Sequence, residues 1–202
     1  MAIMRIHNKQ TQYTHEILWV ACLKQKAIAD QGGAEHIYFN LTTMLMAYFA
    51  FEGYLNFIGV ILCPDEWRCE KEFFSRDPYQ GIKGKIKLLA HAVHIADVHT
   101  LPEFQTIMFL RELRSYVVHA KLHEYEETLE HRGEGLPPPK LSPFAQKVQN
   151  NHMHRAVNHV ELFCNLFQEN AAKVSDKDEF QSPALGGSLG FGSGDVEMIP
   201  EE

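Results

Sequence analysis

Paired cysteines are missing from this chain. Its four cysteines, Cys22, Cys63, Cys69 and Cys164, are scattered, and no two stand in a CxxC arrangement. That excludes a zinc ribbon and a thioredoxin-type redox site. Together with the lack of a cleavable apolar segment after the N-terminus, it disfavours a secreted disulfide scaffold. A reducing, cytoplasmic setting is expected. A surplus of basic charge is missing too: 19 Lys and Arg face 26 Asp and Glu, a formal charge of −7. On net charge alone this argues against a nucleic-acid binder. The excess of acid is local, however. Residues 175–202 hold Asp176, Asp178, Glu179, Asp195, Glu197, Glu201 and Glu202 against Lys177, which leaves 18 basic and 19 acidic residues in the rest of the chain. A nearly neutral body is able to carry a local basic site.

An uninterrupted membrane span is also lacking. Residues 44–62 are apolar and just long enough to cross a bilayer, but Glu52 and Asn56 interrupt them at a cost in lipid. A buried central helix, with no membrane association, is the expectation. No Walker loop, Rossmann glycine fingerprint or nucleophile elbow occurs.

What the chain does have is ordinary globular composition, 45% hydrophobic and 22% charged, in a body large enough to bury roughly two-thirds of its unfolded surface without a staple. Helical periodicity dominates, and no strand alternation competes with it. The pattern predicts helices over 14–31, stopped by Gly32-Gly33, and over 34–62, apolar nearly all round and ended by Pro64. Residues 63–80 read as a short helix and a loop. A helix over 84–95 turns Ile86, Leu89, Ala90 and Val93 inward and Lys85 and Lys87 outward. Thr100-Leu101-Pro102-Glu103 reads as a capping box opening the next helix, and Ser142-Pro143 opens the last, whose apolar spacing slips once around Asn151 and His152. The expected architecture is all-α: an antiparallel helical bundle over 14–174, preceded by an N-terminal extension, 1–13, and followed by a disordered, acidic, glycine-rich tail, 175–202.

Chemistry is concentrated in Leu110-Arg111-Glu112-Leu113-Arg114-Ser115-Tyr116-Val117-Val118-His119. Cutting RNA with its own 2′-hydroxyl requires a group that exchanges a proton near neutral pH and a cation that stabilises charge on the phosphorane. Histidine and arginine supply these. Residues five apart on an ideal helix are rotated by about 140°. Arg114 and His119 therefore share a site only if the helix loosens near Val118 or the site is assembled across a dimer. The plainer alternative is an arginine paired with a surface acid and a helix-terminal histidine favoured by the dipole. Arg111, three residues before Arg114, either adds positive potential to the same site or is simply solvated. Glu52 and Asn56, at i and i+4 in an apolar helix, need partners, with Arg111 and Arg114 as candidates, in a structural ion pair or in support of catalysis. Lys83, Lys85 and Lys87 read as a solvated face more readily than as phosphate contacts. Among twelve histidines, His119/His123 and His91/His94 have chelating spacing, but no third ligand accompanies either pair, so no metal and no cofactor is expected.

The Arg114, Ser115 and His119 pattern, with apolar Val117 and Val118 before the histidine, resembles the signature of HEPN domains. The helix holding Ala47-Tyr48-Phe49-Ala50-Phe51-Glu52-Gly53-Tyr54-Leu55-Asn56 is similar to the long early helix of that family. The resemblance covers residues 14–172. Ser115 departs from the Asn, Asp or His more usual there, which bears on catalysis more than on fold. The resemblance implies a homodimeric, metal-independent endoribonuclease that leaves a cyclic phosphate, in a toxin or defence role with a cognate antitoxin protein as partner. His119 would be acid/base and Arg114 would bind phosphate, supported by Arg111, Ser115, Glu52 and Asn56. The other class it implies is a non-catalytic HEPN-like module binding RNA, a nucleotide or a protein partner.

Overall fold

The structure, a computed structural model, describes residues 13–33, 35–119 and 141–186 in full and residues 3–11 and 191–199 by their backbone. The body is all-α. Among the described residues the helices are α1 (Thr14–Ala29), α2 (His36–Leu62), α3 (Pro64–Arg68), α4 (Glu70–Phe73), α5 (Gly81–Ala92), α6 (Pro102–Val118), α7 (Pro143–Lys147) and α8 (Asn150–Val174), with 3₁₀ turns at Val98–Thr100 and Asp178–Phe180.

Gly32 and Gly33 turn the chain between α1 and α2 at φ +74° and +106°, where a Cβ would be strained. The return is antiparallel, since His15 backs onto Gly53 while the Cys22 thiol donates to the Thr43 carbonyl at 3.4 Å. Helix α8 runs parallel to α2. Asn40 Nδ2 donates to the Val148 carbonyl at 3.0 Å, Phe51 meets Phe163 edge to face, and the Tyr54 hydroxyl donates to Gln168 Oε1 at 2.9 Å. Helix α6 opposes α8, with Thr106 against His159 and Phe109 against His152. Helices α1, α2, α6 and α8 thus alternate in direction as an antiparallel bundle.

Helix α2 lies at its centre, packed against α1, α3, α5, α6 and α8. This explains why the helix is apolar on all sides, with Met44, Tyr48, Phe51, Tyr54, Leu55 and Ile58 buried. By length and composition α2 would also suffice to cross a membrane, and its contacts in the bundle account for that apolarity. At Gly59 the Trp67 indole lies where a Cβ would go, so α3 docks directly on the α2 backbone.

Several expectations are corrected. Lys85 is not an outward-facing residue: its side chain is only 13% exposed, and it pairs with Glu70 under the rings of Trp67 and Phe74. No Thr100–Glu103 capping box forms, because Thr100 belongs to the preceding 3₁₀ turn and its hydroxyl donates to the Asp97 carbonyl at 2.8 Å. Ser142 does cap a helix, its Oγ accepting from the Ala145 amide at 3.2 Å. That helix stops at Lys147 and a second one starts at Asn150, which is the slip seen in the apolar spacing.

The folded body also extends beyond residue 174. Phe180, Ala184 and Leu185 are buried in the core, and Gln168 Nε2 donates to the carbonyls of Glu179 (2.9 Å) and Ser182 (2.8 Å). Further on, β2 (Phe191–Ile199) pairs antiparallel with β1 (Ile3–Thr11), so the ends of the chain form a two-stranded ribbon. Neither segment alternates cleanly. The first ends in a polar run and the second carries two glycines, which hides both from a period-2 reading.

Candidate functional site

Helix α6 is anchored by Phe104, Ile107, Leu110 and Leu113, all buried. Arg114, four residues after Leu110, stands at the edge of that apolar stripe and is half-buried, whereas Arg111, Ser115 and His119 are exposed. The helix ends at Val118, and His119 is its C-cap, with its amide donating to the Ser115 carbonyl at 3.0 Å. Because that bond has i to i−4 spacing, the helical path reaches the His119 amide, and the backbone departs from it only at His119 itself, at φ −105° and ψ 38°. Arg114 and His119 therefore remain about 140° apart around the axis.

On α2, Tyr48 is where the two helices' polar groups converge. Burial, followed by the charge and hydrogen bonding of Glu52, pushes the Tyr48 phenol up from its ordinary range, while the charges of Arg111 and Arg114 pull it back. Glu52, Arg111 and Arg114 are thus brought into one electrostatic neighbourhood around Tyr48. No ion pair joins Glu52 to either arginine among the described residues, and the buried Nε of Arg114 has no hydrogen-bond partner.

Asn56 lies elsewhere. It is exposed, and its Oδ1 accepts from Lys85 Nζ at 2.8 Å and from Trp67 Nε1 at 3.3 Å. It fastens α2 to α3 and α5 and does not face the arginines. Beside the end of α6, Tyr116 stacks on Phe144 with centroids 5.1 Å apart, bordering a 230 Å³ cavity that also touches Glu112 and Lys147.

The histidine pairs fare differently. His94 has left the helix, at φ +59°, so the regular spacing with His91 is lost. His123 lies outside the described residues. His159 Nδ1 bonds Thr106 Oγ1 at 2.8 Å, and His154 lies 3.1 Å from Asp30. No group of three His, Cys, Asp or Glu residues placed to hold a metal occurs among the described residues.

A second cluster escaped the sequence reading. At the opposite end of the bundle from the α6 C-terminus, a 410 Å³ cavity is lined by His15 and Glu16 of α1, Phe57 of α2, and Asp178 and Glu179 beyond α8. Its one legible signal is an acid and a histidine side by side in the first turn of a helix that continues with the apolar run Ile17-Leu18-Trp19-Val20. Comparison of the chain with protein-family models, curated proteins and solved structures finds no match.

Proposed function

We propose that the chain is a metal-independent endoribonuclease acting as a homodimer on RNA. The observation that carries this reading is the presence, in the last turns of α6, of a half-buried Arg114 lacking an Nε partner and a solvent-facing His119. In the proposed reaction the His119 imidazole takes the proton of an RNA 2′-hydroxyl, whose oxygen then bonds to the adjacent phosphorus. The P–O5′ bond breaks and the proton held by His119 passes to the leaving oxygen, giving a 2′,3′-cyclic phosphate and a 5′-hydroxyl. Arg114, with Arg111 beside it, stabilises the phosphorane charge. Glu52 and Ser115 position these groups, and Asn56 acts only by holding α2. Since about 140° separates Arg114 from His119 on one helix, the reading places the two halves of each site on different copies of the chain. The resemblance to HEPN domains implies a toxin or defence role with an antitoxin partner, and the scattered cysteines suit a cytoplasmic setting.

The second reading, a non-catalytic HEPN-like module binding RNA, a nucleotide or a protein, is favoured by Ser115. Its short hydroxyl sits where the family more often has a side chain able to orient a phosphate or a histidine. Incubation of purified protein with RNA, with and without EDTA, separates the two. Cutting that survives chelation and is lost in Arg114→Ala and His119→Ala supports the nuclease, and retention of RNA without cutting supports the module.

A further inference from the structure

The cavity between the start of α1 and the segment after α8 is built around a charge that nothing among the described residues answers. Glu16 is 8% exposed, lines the cavity, and its Oε2 is buried with no hydrogen-bond partner. A carboxylate in that state is costly unless a donor or a positive charge reaches it. Rotation about the last side-chain bond of a glutamate is soft, so either oxygen can be turned toward an incoming group.

Other features of the cavity select for the same kind of visitor. Asp178 and Glu179 add two carboxylates at its exposed edge, and no lysine or arginine lines it among the described residues. His15, 4% exposed among the rings of Tyr13, Tyr54 and Phe57, is held neutral at ordinary pH because burial lowers its pKa to about 4. Tyr13 and Phe57 meet edge to face with centroids 5.2 Å apart, providing aromatic surface of the kind that attracts organic cations. At 410 Å³ the cavity falls within the range of small-ligand sites. A metal ion is a poor match, because the described residues hold no group of three ligating side chains. From these observations we infer that the cavity binds a small aliphatic organic cation, its ammonium or guanidinium head at Glu16 and its carbon chain against Tyr13 and Phe57. The chemistry fits a free amine of four or so carbons, with a second cationic group reaching Asp178 and Glu179.

The test is calorimetric titration of the full chain with agmatine, alongside putrescine, N-acetylarginine amide and calcium chloride. Agmatine is expected to bind saturably at one site per chain, and Glu16→Gln to weaken it by about tenfold or more, the loss of one desolvated charge pair. Glu179→Gln, at the exposed edge where folding is not at stake, is expected to weaken agmatine binding by a few-fold, and it keeps the test decisive if Glu16→Gln misfolds. The inference is overturned if neither amine binds below about 10 mM, or if both variants bind agmatine like the wild type. Binding of the acetylated arginine alone would overturn it in favour of a partner's side chain, and binding of calcium alone in favour of a metal site. None of these outcomes depends on whether the chain cuts RNA.

Discussion

The backbone amide of His119 closes the last turn of α6 on the carbonyl of Ser115, at 3.0 Å. This one bond keeps the histidine in helical register with Arg114 and so keeps the two side chains on different faces of their own helix. In the proposed function an active site using both is shared between copies. Arg114→Ala and His119→Ala proteins, each inactive alone, should regain RNA cleavage when mixed, because a mixed dimer contains one cleft with both intact groups. Sedimentation should show a dimer at micromolar concentration. A monomer, or mixtures as inactive as their components, would contradict the shared site.

Truncation after residue 174 should destabilise the protein. It removes Phe180, Ala184 and Leu185 from the core and leaves Gln168 Nε2 without its two carbonyl acceptors. Phe180, at 3% exposed, is the largest of the three, and Phe180→Ala alone should cost about 3–5 kcal/mol. Urea unfolding of the variant and of the truncated chain measures both. An unchanged midpoint would show that the segment adds nothing to the fold.

The bundle was legible because its signal is redundant. In α5 and its C-cap, Ile86, Leu89, Ala90 and Val93 all turn inward as their spacing requires, and the apolar run of α2 marks a helix packed on every side. The errors at Lys85 and at residues 180–185 share a cause: residues whose environment comes from distant elements. Lys85 reads as a surface lysine until Glu70, Trp67 and Phe74 are folded over it. Phe180 and Leu185 stand among acids and glycines, so their burial against α8 leaves no periodic trace. At the candidate site the sequence identified Arg111, Arg114, Ser115 and His119 on one helix. It also matched Glu52 with Asn56 by i, i+4 spacing, whereas the fold directs Glu52 toward Tyr48 and Asn56 toward Lys85. His15 and Glu16 could not be recognised as a pair without the segment from 178 to 186 that encloses them.

His15 should make stability depend on pH. Burial lowers its pKa from 6.5 to about 4, so the unfolded chain takes up the proton first. Its contribution is complete above pH 6.5 and is lost as the pH falls from 6.5 toward 4. Glu16 works in the opposite sense: burial raises its carboxyl above 4.5, so the folded form is protonated first and gains stability as the pH falls through that raised value. His15→Gln should therefore flatten the decline between pH 6.5 and 5. Urea midpoints at pH 7, 6 and 5 check this, and a variant with the wild-type slope would contradict it.

The most direct test of the account is to incubate purified wild type, Arg114→Ala and His119→Ala with RNA in the presence of EDTA and to identify the new ends. The account predicts cutting by the wild type that leaves 2′,3′-cyclic phosphates, with each variant reduced by about 10²- to 10⁴-fold while still folded. Wild-type protein that cuts no RNA, or a His119→Ala protein that cuts as well as the wild type, would contradict it.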